Sequence, residues 1–494
     1  MNESVASILA VDVGTSSLKA VLYGDDGRVA AGSTQRYGYR AEQPGWAEGD
    51  PQAWWLAFEG ALADLAARGW RLERVAALAF TGQMHTAVLL DAEGQVLPPT
   101  ILWLDRRAAA ETEELQQSLG LPPYQLNSTY SLPKLLWLRR HAPGVLDRVR
   151  TLLWPKDYMR FRLTGRVCTD LTEPGGAALL DWPSREWAVE RLALVGLGPE
   201  VLPAIRPAAA GAGPALPEVA RALGLDPELR VVVGMGDVAA LFGAAPPRPG
   251  RVTCSMGSSS MVFAPLAAGQ EVRDPSGGLY VYPFGPYPML GGVSSTTGSS
   301  LLWAYEKVAR AQARGLSFEE WVGAALEVEA GAGGLCFLPY LAGERSPHWS
   351  DEIRGGFYGL QLAHDDRHLG RAVLEGVALS LRHLLDLYAG LGVPQHEIAL
   401  AGGGTNTPGW PAIIADACQR DVLIYAGEET VTRVLYGLCQ AHLGRSSYED
   451  ALLQTFDEPV IIHHHPELAH VYGEASRRYR AFARFAREQA AWTA

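Results

Sequence analysis

The feature that most constrains this chain is one design that occurs twice. Residues 8–13 form an apolar strand pattern with Asp12 near its end, followed by Gly14-Thr15-Ser16-Ser17 and a second apolar strand at 18–23. Residues 251–264 repeat the design around Gly257-Ser258-Ser259-Ser260. Each reads as a hairpin with a small, hydroxyl-bearing bend. Two near-copies in the two halves predict two related domains, and 494 residues are too many for one core. A bend rich in Gly, Ser and Thr turns amides and hydroxyls onto a concave surface suited to phosphate, although either hairpin alone is first an ordinary tight turn. Asp12 is placed to hold Mg2+ directly or through water.

Composition narrows the classes. With 48% apolar and 19% charged residues the chain is neither disordered nor fibrous. Its net charge of −12 argues against nucleic acid or an anionic membrane as the main partner, but amides and metal can still bind phosphate. The five cysteines, Cys168, Cys254, Cys336, Cys418 and Cys439, never form a Cys-x-x-Cys pair and read as reduced core residues. The N-terminus lacks a basic leader, and no apolar run approaches the ~18 residues that span a bilayer. The expectation is a cytoplasmic protein. Lysine is rare, at Lys19, Lys134, Lys156 and Lys307 only.

The other chemistry-bearing residues fall at predicted strand ends. Residues 230–233 run through Gly-Met-Gly into Asp237, which opens a helical segment. At the carboxyl end of a strand in an open sheet, this aspartate can accept a proton from a substrate hydroxyl or simply cap the helix. Gln83 and His85 follow the 75–80 strand pattern and suit hydroxyl binding, with a satisfied structural histidine as the plainer reading. Trp103, Asp105 and Arg106 end another apolar stretch, an aromatic and carboxylate grouping typical of sugar sites, though tryptophan is commonly core. Gly402, Gly403 and Gly404, with Thr405 and Asn406, separate a strand from a helix and permit close approach of a flat or phosphorylated ligand. His463-His464-His465 reads as a solvated strand end. Walker spacing is absent, and Gly234-x-Gly236-x-x-Ala239 lacks the later acidic ribose partner, which discounts a dinucleotide fold. The Pro/Ala/Gly stretch 207–214 is expected to be a linking loop. The proline-rich stretch 245–250 places the domain division at 1–245 and 246–494.

In order, Asp12-Val-Gly-Thr15-Ser, Gly82-Gln-Met-His85, Ile101-Leu-Trp103 with Asp105, Lys134-Leu-Leu-Trp137, Pro155-Lys156-Asp157-Tyr158, Gly236-Asp237-x-Ala-Ala and Gly355-x-Phe-x-Gly359-Leu360 with His368-Leu369 resemble the FGGY carbohydrate kinases, and within them the xylulokinases. The resemblance spans nearly the whole chain. It implies an α/β protein of two actin-like (ribonuclease H-like) domains, each a mixed sheet flanked by helices, with an ATP and sugar cleft between them. It implies ATP-dependent phosphorylation of a ketopentose, D-xylulose first, to D-xylulose 5-phosphate. Asp237 is implied as general base, with Gln83, Met84, His85, Trp103, Asp105 and Asp237 at the sugar. Asp12 serves Mg2+. Gly14, Thr15, Ser16, Gly257, Ser258 and Ser259 serve the phosphates, and Gly402, Gly403, Gly404 and Asn406 the adenosine. The partner is a small sugar, with a homodimer as candidate assembly.

Three positions and one segment depart from the xylulokinase pattern: Val238 replaces Asn or Gln after the base, Leu104 replaces Asn before Asp105, Ser260 replaces glycine, and Thr432 to Gly437 carry large side chains in a helix expected to be small. The last predicts overpacking of about 1–3 kcal/mol if nothing moves. Val238 and Leu104 keep a different ketose or polyol in view, and the altered helix a non-catalytic binding protein.

Overall fold

The computed structural model describes residues 6–121, 125–181, 184–267, 270, 272, 274–275, 278–282, 288–309, 316–425 and 430–490. The chain divides into two compact units, the first holding the chain up to Pro246 together with a segment that ends at Phe456, the second holding the rest.

The first unit is built on a six-stranded sheet in the order Gly211–Pro214, Arg230–Val232, Ala77–Gly82, Ala6–Val13, Ser17–Gly24, Val29–Arg36. The expected first hairpin forms its antiparallel centre, with Val13 opposite Leu18. Ala77–Gly82 and Arg230–Val232 then add in parallel, and Gly211–Pro214 closes the edge antiparallel. That edge strand lies inside the stretch expected to be a linking loop. Its Gly-Ala-Gly-Pro composition has no alternation to announce a strand, and an edge position tolerates proline. Helices Pro51–Ala67 and Pro155–Thr164, both opened by proline, are among the elements that flank the sheet.

The second unit repeats the plan with one strand added: Tyr280–Tyr282, Met289–Ser294, Ser260–Pro265, Gly250–Met256, Gln395–Ala401, Asp421–Ile424, Val460–Ile462. From Met289–Ser294 onward the directions match those of the first sheet: three antiparallel strands, two in parallel, one antiparallel edge. The duplication expected from two hairpins therefore extends over six strands, and both units are mixed sheets flanked by helices. Helix Asp366–Gly390, capped by Asp365 accepting from Arg367 N and His368 N, runs through the second core.

The expected division assigns all of 246–494 to the second domain, whereas helices Thr430–His442 and Tyr448–Gln454 fall in the first unit. Tyr23 shares a 2.9 Å hydrogen bond with Thr432, and its ring lies 5.2 Å from that of Tyr436. The large side chains expected to overpack this helix are buried here, with Val434 seated where a side chain on Gly243 would have to go. A glycine on the facing segment supplies the room.

Candidate functional site

In the first unit, the loops after Ala6–Val13, Ala77–Gly82 and Arg230–Val232 leave one edge of the sheet, all at carboxyl ends of parallel strands, where open sheets collect ligands. Gly234, at φ +78°, approaches the Phe80 carbonyl so closely that no Cβ fits, which turns the chain toward Asp237. Gly236, not Asp237, holds the cap position of the short helix Asp237–Ala240. The Asp237 carboxylate instead accepts from Val238 N at 2.7 Å and Met84 N at 3.3 Å. Burial, then the charge of Asp12, pushes its pKa up to about 7.

His85, the residue after Met84, lies in the left-handed backbone region at φ +69°, rare for a residue with a Cβ. Two partners hold it there: Ser131 Oγ donates to His85 O at 2.8 Å, and the ring Nδ1 bonds to Gly176 O. A carbonyl only accepts, so Nδ1 carries the proton. Burial lowers the ring's pKa to about 4, so the ring is neutral near pH 7 and Nε2 offers a lone pair.

The remaining first-unit residues form one network. Trp103 Nε1 donates to Thr15 Oγ1 at 2.9 Å, Gln83 Nε2 to Gly14 O at 3.2 Å, and Tyr37 OH to Gly14 O at 2.6 Å. Ser16 is exposed at the bend, and Asp12 is half-buried near the end of the strand before it. Met84 is buried, its side chain packed against Gly176 and Gly236, so that it reaches the site through its amide.

Asp105 is held by donors of its own neighbourhood. Its carboxylate accepts from Ala47 N at 2.5 Å, from Arg107 N at 2.8 Å, and from the Arg107 guanidinium at 2.8–3.0 Å. These donors satisfy the buried carboxylate within the fold.

Beneath the loops lies a charge cluster that sequence reasoning did not assemble. Buried Lys156 Nζ lies 2.6 Å from Asp157, 2.9 Å from Asp170 and 3.8 Å from Glu173, and Arg160 lies 2.9 Å from Asp157. The signal available was the rarity of lysine. Two cations balance Asp157 and Asp170, and neither oxygen of Glu173 has a hydrogen-bond partner among the described residues. Burial, with the charges of Asp157, Asp170 and Asp237 against the pull of Lys156, drives the Glu173 carboxyl well above 4.5. Stability from a raised carboxyl is complete below the unfolded value and lost as pH rises through the folded one. Glu173→Gln mimics the neutral acid, so we expect a gain of about 1–3 kcal/mol at pH 8 that shrinks toward pH 4, measured as the midpoint difference in thermal scans across that range. A gain independent of pH would show that Glu173 is not the titrating group.

In the second unit, Gly257, Ser258 and Ser259 form the corresponding bend. Ser258 O accepts from Thr297 N at 2.8 Å and from Ser299 Oγ at 2.8 Å, and Ser260 Oγ lies 2.6 Å from Thr297 Oγ1. Gly402, at φ +85°, abuts Met256 O, and Gly404 packs on Met256, so this glycine turn meets the hairpin within the unit. A Cβ on Gly403 would meet nothing within 4 Å, and Asn406 is exposed. His463, His464 and His465 are tied to Asp421 and Asp416 at 2.8–3.0 Å. No helix among the described residues is long and apolar enough to cross a membrane.

Comparison with known proteins fits this arrangement. Residues 7–243 match the N-terminal domain of the FGGY family of carbohydrate kinases and residues 252–433 its C-terminal domain. The chain is 34% identical to a xylulose kinase of Klebsiella pneumoniae over 83% of its length and 84% of the relative's. It is 25% identical to a gluconokinase of Bacillus subtilis over 84% of each chain. A xylulose kinase structure from Rhodospirillum rubrum superposes with a TM-score of 0.89 at 29% identity, covering 98% of this chain and 99% of that one. With two sheets of one plan, the strand-end site and matches to both domain models, the chain belongs to the FGGY family of carbohydrate kinases.

Proposed function

We propose that this kinase transfers the γ-phosphoryl group of ATP to a hydroxyl of a ketopentose, with D-xylulose as acceptor and D-xylulose 5-phosphate as product. One observation carries the reading: the Asp237 carboxylate accepts from the amide of Met84, the residue before His85, whose buried ring is neutral. The names of several relatives support the choice of sugar. In this reading Asp237 takes the proton of the attacking hydroxyl while the oxygen of that hydroxyl bonds to the γ-phosphorus, the bond to the bridging oxygen breaks, and ADP leaves. His85 Nε2 accepts a hydrogen bond from a second hydroxyl, and Gln83 and Trp103 line the acceptor. The bends at Gly14, Thr15 and Ser16 and at Gly257, Ser258 and Ser259 offer amides and hydroxyls to phosphate, and Gly402, Gly403, Gly404 and Asn406 serve the adenosine. Asp12 provides a hard oxygen suited to Mg2+, which neutralises phosphate charge when bound. No group of three or more His, Cys, Asp or Glu suited to a metal occurs among the described residues, in keeping with an ion held mainly by phosphate and water.

Val238 favours a second reading. An apolar side chain beside the base removes an amide that could bind a hydroxyl, and a gluconokinase is among the relatives, so a different polyhydroxylated acceptor is the alternative. ADP release with Mg2+-ATP across D-xylulose, L-xylulose, D- and L-ribulose, D-fructose, gluconate, glycerol and pentitols decides: strong turnover on D-xylulose supports the first reading, and turnover confined to another acceptor replaces it. On the accepted sugar, His85→Ala is expected to raise the sugar KM by about tenfold and leave sugar-independent ATP hydrolysis within about twofold. An unchanged KM would return His85 to a structural role.

A further inference from the structure

The turn that carries Asp237 is gripped from below at both ends. The strand stops at Val232, so the next peptide groups need other partners. Arg160 Nη1 donates to Val233 O at 2.5 Å. At the other end Gly236 N donates to Thr172 Oγ1 at 2.9 Å, and that hydroxyl donates its own proton to Asp170 Oδ1 at 2.8 Å. Asp170 is paired with Lys156, which also pairs with Asp157, the partner of Arg160. Thr172 is 1% exposed. Its hydroxyl thus links the charge cluster to the Gly236 amide just before Asp237, at the end of the turn opposite the Arg160 contact. A side chain on Gly236 would meet Met84 and, at 3.2 Å, the Thr172 oxygen, so the contact leaves little slack.

We propose that Thr172 is a positioning residue for phosphoryl transfer, fixing the Asp237 carboxylate by coupling the turn at Gly236 to the Lys156, Asp157, Arg160 and Asp170 cluster. The inference rests on the reading of Asp237 as the base. A base must stay within hydrogen-bond reach of the proton it removes, and a displacement of about 1 Å costs on the order of 10²-fold in rate. Thr172 touches neither the hydroxyl nor the phosphate in this scheme and acts through the backbone.

The test is a set of single variants and one double variant, assayed for kcat, for both KM values and for thermal midpoint. Thr172→Val keeps the shape and removes the hydroxyl. Its kcat is expected to fall about 10- to 100-fold with both KM values within about threefold of wild type, and Thr172→Ser to restore kcat to within about threefold. Thr172→Ala, which removes the hydroxyl without a second methyl to place, is expected to behave like Thr172→Val and stands in for it if that variant fails to fold. Because the effect passes through Asp237, adding Thr172→Val to Asp237→Asn should cost less than about twofold more. Normal kcat in both hydroxyl-free variants, failure of serine to rescue, a joint change of kcat and KM with a lowered midpoint, or an undiminished loss in the Asp237→Asn background would each overturn the proposal. Near-normal turnover of Asp237→Asn alone would instead remove the base from the reading, which separates the two failures.

Discussion

Asp237→Asn is expected to reduce kcat by about 10² to 10⁴ while sugar and ATP binding stay within a few fold of wild type. The asparagine oxygen can still accept from Val238 N and Met84 N, so the turn keeps both bonds that orient this side chain. What is lost is proton affinity. Burial and the neighbouring Asp12 charge raise the carboxyl to about 7, close to the pH at which a general base works best. The same shift has a stability consequence with a definite sign. An aspartate whose folded pKa lies above its unfolded value contributes stability below the unfolded value and loses it as pH rises through about 7. At pH 8 the ionised carboxylate therefore strains the fold, and the amide should stabilise the protein by about 1–3 kcal/mol, allowing for the side chain's partial contact with water. A variant that is slow and more heat-stable at pH 8 is thus the expected result, measured by ADP release and thermal scans on one preparation. Full turnover would remove Asp237 from the mechanism.

How far the sequence carried this reading depended on whether the signal was local. The two hairpins were legible because strand, small bend and strand lie within about twenty residues, and their register is set by the bend. The strand-end positions of Gln83, His85 and Asp237 were legible for the same reason. The equivalence of the turn at 83–85 to the turn at 402–406 was not. Both follow the first strand that adds in parallel to a hairpin, but one is Gln-Met-His and the other Gly-Gly-Gly, so only the topology relates them. The bond from Ala47 N to Asp105 was not legible either, since no local pattern near Trp103 records a distant amide. The return of the Thr430–His442 helix to the first unit was hidden likewise, since it depends on Tyr23 and Gly243 from the other half of the chain.

Lys156 shows the same limit with the larger energetic stake. Its ammonium is fully buried, and burial alone would strip its proton, but Asp157, Asp170 and Glu173 outweigh that and hold the pKa above 10.5. Stability from a raised lysine is present below the unfolded value and lost only as pH rises through the folded one, so this contribution is constant between pH 6 and 9. Lys156→Met preserves most of the stem volume and removes the charge. It leaves Asp157 with Arg160 and Asp170 with the neutral donors of Thr172 in place of the ammonium, and an uncompensated buried carboxylate costs about 3–5 kcal/mol. We expect that loss at pH 6 and pH 9 alike, read as reduced hydrogen-exchange protection of the Ala77–Gly82 strand at the centre of the first sheet, a local measure that does not require the whole protein to unfold in one step. Removing the stranded partner should repair part of it. The double variant with Asp170→Asn is expected to regain about 1–3 kcal/mol over Lys156→Met. The double variant also loses the lysine, so a regain shows that the charge left on Asp170, rather than missing packing, is what destabilises the strand-end turn. A Lys156→Met protein within 1 kcal/mol of wild type would mean that the ion cluster contributes no net hold on the Asp237 turn, and that Thr172 and the glycine packing at 234 and 236 suffice to fix it.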